Sequence, residues 1–423
     1  MPRILLAPYG SLGDLHPFIA LGLELRARGH EVRICTMEAY REKIATLGFP
    51  FFPLRPSLDP EDKDLARQLM DPNSGTENLV RNTMLGSINE THEDLISAAD
   101  GMDMLVAGEI VFPSYSVSEL KRIPLATTTL APFSLMSARD SVVFPNGIPI
   151  GNLGPFGVPL RALSFAIGKR LVNGWLGAYR DYRKSLGLDP AQDPLFHGKF
   201  SDDLHLVMFS RALAEPKPDW PRNGIQTGFC FYDGEQDLGK LDPELEEFMK
   251  SGGPAVVFTL GSAASMDAGD FFDESLKLAK MLDLRAVFVY GQYGEPPKGL
   301  DEKRRAFDYA PYGSLFPMAS CVVHQGGVGT TSQVLRAGVP HLVVPFAHDQ
   351  PDNAYRIWKS GAGEYVLRRK FNARSARKKL ERLLGRTSYK ANALVLKGII
   401  DTEDGTVAAC NAIEKALMPR TQS

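Results

Sequence analysis

Two stretches of the chain concentrate residues able to move protons or hold anions. The first, YGSLGDLHPF (9–18), follows the short apolar run 4–7 and sets Gly10, Ser11, Gly13, Asp14 and His16 within seven residues. A carboxylate of ordinary pKa, about 3.9, is a weak base in water. A closing cleft desolvates it and raises that value. Asp14 is therefore a candidate general base, a role worth typically about 10²–10⁴-fold. It is equally a candidate N-cap for the helix predicted after it. The two roles are compatible, although Pro17 would remove one of the N–H groups a cap serves. His16 competes as a base, or else opens the helix.

The second stretch is CVVHQGGVGTTSQVLRAG (321–338). A strand is predicted to run into a glycine loop and then a helix closed by Gly338. Gly326, Gly327 and Gly329 allow a ligand to approach the backbone closely. The first N–H groups of a helix lack internal partners and carry its positive dipole end. Such a terminus suits a diphosphate. Thr330 and Thr331 add hydroxyls, and His324 adds a ring N–H. The spacing is neither Gly-x-Gly-x-x-Gly nor a Walker loop, which needs a lysine. Alone, the glycines also fit a plain strand-to-helix turn. Beyond the helix, HLVVPF (341–346) predicts another strand, with AHDQPDN (347–353) at its carboxyl end. Asp349 and Gln350 there are the paired acceptors and donors that suit sugar hydroxyls.

The elements that position these residues read as strand, helix, strand. RILLAPY, the helical spacing of Phe18, Leu21 and Leu25, and EVRICT form one unit, which implies a parallel sheet with right-handed crossovers. DMLVAG, LATTTLA and LHLVMFS predict further strands of that sheet. AVVFTLGS, RAVFVYGQ, RAFDYAP, CVVHQGG and HLVVPF predict a second series, with helical patterns between them. AEPKPDWPRNGIQTG between the series is rich in Pro and Gly. The expectation is an α/β protein of two doubly wound domains, 1–214 and 239–423, joined by a linker at 215–238. The last helix is free to pack back on the first domain. The cleft at the strands' carboxyl ends is the default ligand site.

Composition narrows the classes. With 423 residues and a net charge of −2, the chain has no basic bias for nucleic acid. Cys35, Cys230, Cys321 and Cys410 are far apart, so neither a zinc site nor a redox pair is signalled. A reducing cytoplasm is expected. No window reaches the roughly 20 apolar residues of a spanning helix. The best candidate, GVPLRALSFAIGKRLVNGW, is interrupted by Arg161, Lys169 and Arg170. The basic stretch 367–386 reads as a solvated helix face, with peripheral contact to an anionic membrane as its alternative. Asp62 and Asp64 form an Asp-x-Asp in a polar loop, which lacks the converging ligands a metal needs.

Taken in order, YAPYGSLFPMASCVVHQGGVGTTSQVLRAGVPHLVVPFAHDQPDN (309–353) resembles the nucleotide-sugar signature of family 1 glycosyltransferases with the GT-B fold. GSLGDLHP at the first strand resembles their sterol, rhamnolipid and antibiotic branches, where plant enzymes carry a histidine. The resemblance implies two Rossmann-like domains facing a cleft and an inverting hexosyl transfer. Asp14 becomes the base, in the place of the plant histidine. Tyr309 stacks on the nucleotide base and the Ala310 backbone pairs its edge. His324 and the loop 326–331 hold the diphosphate, with Ser262 approaching it. Asp349 and Gln350 hold the sugar. Many UDP-sugar enzymes place a glutamate on the ribose where this chain has Ser332, followed by Gln333. UDP-glucose is the first expectation for the donor and a dTDP-sugar the alternative. Neither a metal nor another cofactor is expected. Gly13, His16, Glu109 and Gln333 are further cleft candidates.

The segments 128–145 and 152–177 are apolar, aromatic and punctuated by Gly and Pro. In this family the matching region lines the acceptor pocket, which implies a lipophilic alcohol or phenol. Part of these segments is also ordinary core. A monomer or weak dimer is expected. Two other classes stay open: a GT-B epimerase or hydrolase that consumes the donor without an acceptor, and a silent nucleotide-sugar-binding protein. Retention of Asp14, His324, Asp349 and Gln350 together speaks against the second.

Overall fold

A computed structural model of the chain describes residues 1–59, 62–144, 149–150, 156–234 and 239–418. Strands β1 (Arg3–Ala7), β2 (Glu31–Thr36), β3 (Phe51–Pro53), β4 (Met104–Ala107) and β5 (Leu125–Thr129) belong to a first sheet. A two-stranded antiparallel ribbon follows, β6 (Val142–Val143) with β7 (Pro149–Ile150). Strands β8 (Leu204–Val207) and β9 (Gly224–Gln226) complete the first sheet, in the order β3-β2-β1-β4-β5-β8-β9. The second sheet holds β10 (Ala255–Thr259), β11 (Ala286–Val289), β12 (Arg304–Phe307), β13 (Ala319–His324), β14 (His341–Val343) and β15 (Gly363–Tyr365). Its order is β12-β11-β10-β13-β14-β15. Every pair within both sheets is parallel. The expected pair of doubly wound domains is present.

The side-chain period of a strand explains the layering. Ile4 and Leu6 face helix Leu12–Ala27 and its Phe18, Leu21 and Leu25. Leu5 and Ala7 face the opposite layer with Leu95 and Val117. In the second sheet Val256 and Phe258 meet Phe271 and Leu380, while Val257 meets Leu315 and Val334. Central strands buried on both faces must be apolar throughout, as these are. All four cysteines are buried and free.

Within the segment 215–238, β9 pairs with β8, so the chain is still part of the first sheet there. Residues 235–238 of that segment lie outside the described residues. At the far end, helix Gly405–Leu417 packs on helix Leu12–Ala27: Ala409, Cys410, Ala412 and Ile413 share a core with Ile4 and Phe18. Arg28 and His30 both reach Glu414, at 2.8 and 2.9 Å. A further core joins Leu135, Phe209 and Leu213 to Leu335, Val343 and Ala354. The basic stretch is ion-paired in part: Arg368 meets Asp270, and Lys379 and Arg382 both bind the buried Glu364. Asp62 accepts from the N–H groups of Asp64 and Leu65 and so caps helix Lys63–Leu69.

Candidate active site between the two sheets

Strands β1 and β13 are each followed by a helix that starts at the cleft, Leu12–Ala27 and Val328–Ala337. The two N-termini touch. A β-carbon added to Gly329 would stand 3.2 Å from the α-carbon of Gly13. Beside them, the Leu12 N–H reaches the Ser262 hydroxyl at 3.4 Å, one of the links between the two halves. Two positive dipole ends therefore converge on one point.

Asp14 is not the N-cap. Ser11 takes that place, accepting from the Gly13 N–H at 3.2 Å, and Asp14 closes a capping box from the third helical position. The Ser11 N–H and hydroxyl both bind Asp14 Oδ2, at 2.8 and 2.9 Å. Pro17 consequently sits at the sixth helical position, beyond the N–H groups that the cap serves. Gly10 has φ +131°, and a β-carbon on it would meet Asp14 Oδ2 at 2.5 Å. Only glycine leaves the carboxylate room. Burial pushes the Asp14 pKa up to about 6 against the Ser11 hydrogen bonds, and the charge of Glu109 raises it further.

Glu109 follows β4 and is held by the buried Lys199 at 2.6 Å. His16 packs edge-on against Tyr232, with ring centroids 5.2 Å apart. Burial and the charge of Lys43 push its pKa down to about 4. It is therefore neutral near pH 7, in an aromatic contact rather than beside a hydrogen-bonded carboxylate.

In the second half, Gly326 has φ +87°, and a β-carbon there would meet Val343 at 2.6 Å. His324 is fully buried. Its Nδ1 accepts from the Gly326 N–H at 3.1 Å, so its proton sits on Nε2, 3.0 Å from His341 Nδ1. The expected ring N–H toward a diphosphate is thus absent, because Nδ1 braces the loop and Nε2 faces His341 on β14. Burial pushes the His324 pKa down to about 3, which keeps the ring neutral. Thr330 is buried and accepts from Gln325 Nε2 at 3.3 Å. The Thr331 hydroxyl is buried without a partner among the described residues. Gly327 caps helix Val328–Ala337 without any side-chain bond, so its first N–H groups face the cleft.

Gln325 escaped the sequence reading. Its amide nitrogen fills the space where β-carbons on Gly261 and Gly327 would lie, at 2.8 Å from the latter. The glycines at both positions were the available signal.

Asp349 ends the loop after β14 and starts helix Gln350–Lys359. Asn353 Nδ2 holds its Oδ2 at 2.7 Å and the Gly326 carbonyl at 2.9 Å. Burial pushes the Asp349 pKa up to about 7 against the Asn353 bond, and the charge of Asp14 raises it further. The two carboxylates therefore sense each other across the cleft. Gln350 spends its Oε1 on the N–H groups of Phe346 and Ala347, which leaves only its amide N–H groups for a ligand. Tyr309 is 61% exposed and Ala310 is buried. The Ser332 hydroxyl donates to the Gly329 carbonyl at 2.7 Å, and Gln333 Oε1 is buried and unpartnered among the described residues.

Behind this site lies a buried charge triad. Arg356 binds Asp352 at 2.7 Å on its own helix and Asp140 at 2.6 Å on the first half, and donates to the Ser141 carbonyl at 3.2 Å. Asp352 in turn accepts from the Val143 N–H at 2.9 Å. The helix that begins at Asp349 is thus tied to the loop ahead of β6. The acceptor segment expected at 128–145 contains this loop and the one at 152–177 follows it, with 145 and 152–155 outside the described residues.

Comparison with known proteins agrees with this fold. Residues 4–118 match the glycosyltransferase family 28 N-terminal domain, and 288–401 match the erythromycin biosynthesis protein CIII-like C-terminal domain. O-mycaminosyltylonolide 6-deoxyallosyltransferase of Streptomyces fradiae is 30% identical, across 99% of this chain and 98% of that protein. The chain belongs to the family 1 GT-B glycosyltransferases. Glycosyltransferase GtfE of Amycolatopsis orientalis is 29% identical over 85% of each chain. Sterol 3-beta-glucosyltransferase UGT80B1 of Arabidopsis thaliana is 27% identical over 99% of this glycosyltransferase and 69% of that protein. The solved glycotransferase of kitacinnamycin shares the fold, with a TM-score of 0.75 at 18% identity over 99% and 100% of the two chains. VinC, solved in complex with DTDP, superposes with a TM-score of 0.67 at 18% identity over 98% and 99%.

Proposed function

We propose that this glycosyltransferase moves a hexose, with inversion, from a nucleoside diphosphate sugar to a hydroxyl of a lipophilic small molecule, with Asp14 as general base. The observation that carries the reading is the meeting of the two helix N-termini at Gly13 and Gly329, with the Asp14 carboxylate, its pKa raised by burial, in the first turn of one of them. The acceptor oxygen bonds to the anomeric carbon and gives its proton to Asp14. Ser11 occupies Oδ2, so Oδ1 is the oxygen to take it. The bond from that carbon to the diphosphate breaks, and its electron pair leaves on the diphosphate oxygen. The uncapped N–H groups of helix Val328–Ala337 stabilise the growing charge. Asp349 and the Gln350 amide hold the sugar. The exposed Tyr309 ring stacks on the base, and the Ala310 backbone pairs its edge. No step draws on a metal.

For the donor we favour a thymidine diphosphate sugar over UDP-glucose. At the position of the ribose-binding glutamate, the Ser332 hydroxyl is spent on its own helix. Deoxyribose needs no partner there. The relative named for 6-deoxyallosyl transfer and the DTDP complex of VinC point the same way.

The test is a donor-by-acceptor matrix read by nucleotide release and glycoside mass, with Asp14→Asn as control. Glycoside from dTDP-sugars, with at least a tenfold kcat/KM preference over UDP-glucose (about 1.4 kcal/mol), supports both readings. Preference for UDP-glucose overturns the donor. Nucleotide release without glycoside across all acceptors makes the protein a donor-consuming hydrolase or epimerase instead.

A further inference from the structure

Helix Gly157–Val172 is the least covered long element of the first half. Phe156, Leu160, Leu163, Ile167 and Leu171 recur at helical spacing and are 42–77% exposed. Its opposite side is anchored. Arg161 is buried and donates to the Ala138 carbonyl at 2.7 Å, and Phe165 packs on Phe144 with centroids 6.1 Å apart. Phe144 packs in turn on Phe133, at 6.3 Å. The exposed stripe is therefore the outer face of a helix fixed to the molecule, and soluble proteins rarely leave such a stripe uncovered.

Charge says what covers it. From 156 to 180 the chain carries Arg161, Lys169, Arg170 and Arg180, with no Asp or Glu. Arg170 lies beside the stripe and is exposed, while Lys169 pairs with Asp193 at 3.0 Å. Trp175 follows in the next turn, half-buried. An apolar stripe with an exposed arginine beside it and an amphipathic aromatic in the next turn fits a helix lying in a lipid interface. No helix among the described residues is long and apolar enough to cross a membrane, so such a contact stays peripheral.

We infer that helix 157–172 docks the protein on an anionic lipid surface, with Leu163, Ile167 and Leu171 seated at the boundary of headgroups and acyl chains. The aromatic run from Phe165 through Phe144 to Phe133 then joins this helix to the turn after β5. Docking of this kind holds whichever sugar is transferred, so its failure and that of the donor reading are separate events.

The test is cosedimentation of the full chain with vesicles of phosphatidylcholine and phosphatidylserine, and of phosphatidylcholine alone. The expected result is binding to the mixed vesicles at least several-fold above the neutral ones, weakened by salt. Binding is lost in Leu163→Glu/Ile167→Glu/Leu171→Glu and reduced several-fold in Arg170→Glu. Thermal melting is run on every variant, and Arg170→Glu decides the matter if the triple variant is unfolded. A wild type that stays in the supernatant with both vesicles overturns the proposal. So does equal binding by variants that melt as the wild type does. So does sedimentation velocity that shows a dimer abolished by the triple variant with no vesicle binding, since the face would then join two copies.

Discussion

The α-carbon of Gly13 and the place a β-carbon would take on Gly329 are 3.2 Å apart, so the two halves of the cleft meet backbone to backbone. The reverse contact is looser. A β-carbon on Gly13 finds Gly329 N at 3.9 Å and Ser11 Oγ at 3.4 Å. Gly329→Ala is therefore expected to pry the helix termini apart and lower kcat/KM by roughly tenfold or more, through misplaced reacting groups. Gly13→Ala is expected to cost less. Steady-state kinetics of the two variants check the order.

Asp14→Asn is expected to lower kcat by about 10²–10⁴-fold with little change in melting temperature at pH 8. The sign follows from burial. A carboxylate whose folded pKa is raised above its unfolded value withdraws stability as pH rises through that interval, so losing its charge does not harm the fold. A kcat within twofold of wild type would remove Asp14 as the base.

The acid limb of kcat/KM is expected near pH 6, where Asp14 ionises in the free enzyme. Glu109→Gln should move that limb to lower pH. It removes a negative neighbour and leaves Lys199 uncompensated, and both changes favour the Asp14 carboxylate. A pH profile of the variant that shifts upward or not at all contradicts this coupling.

Arg356→Met strands Asp140 and Asp352 in a buried site. The expected cost is about 3–5 kcal/mol at neutral pH, measured by denaturant unfolding. Burial raises both carboxylates. The guanidinium outweighs it at Asp140, whose pKa is lowered, but not at Asp352, whose pKa stays raised. In the wild type, Asp140 therefore adds stability that is lost as pH falls through its lowered folded pKa. In the variant both carboxylates take up protons more readily than when unfolded, so the gap to wild type should narrow toward pH 4.

The layered fold was legible because central parallel strands are apolar on both faces and run into glycine loops, as RILLA does before Gly10 and ASCVVH before Gly326. The strands that were missed, β3, β6, β7, β9 and β15, are two or three residues long, and two of them begin with glycine. Local propensity is too weak at that length to stand out unless a longer apolar run carries it, as HLVVPF does at β14, and pairing with a neighbour decides the matter. The glycine loop and Asp14 were visible as spacing. The true cap was not, because Ser11 and Asp14 both suit an N-terminus and only the backbone chooses between them. The His324 to His341 bond and the Asp140 to Arg356 pair depend on residues 17 and 216 apart in sequence, which no local pattern joins.

Helix Gly405–Leu417 belongs to the last stretch of the chain but fills the core around the first helix, where Cys410 touches the Leu21 carbonyl. Order in sequence and order in space therefore part company. Until residues 405–417 have been made, the first sheet has an unfinished wall at Phe18 and Leu21. The same wall governs recombination with relatives. A chimera that exchanges everything after residue 238 imports a foreign helix against a native core. One that restores 405–417 from the parent of the first half keeps that core intact.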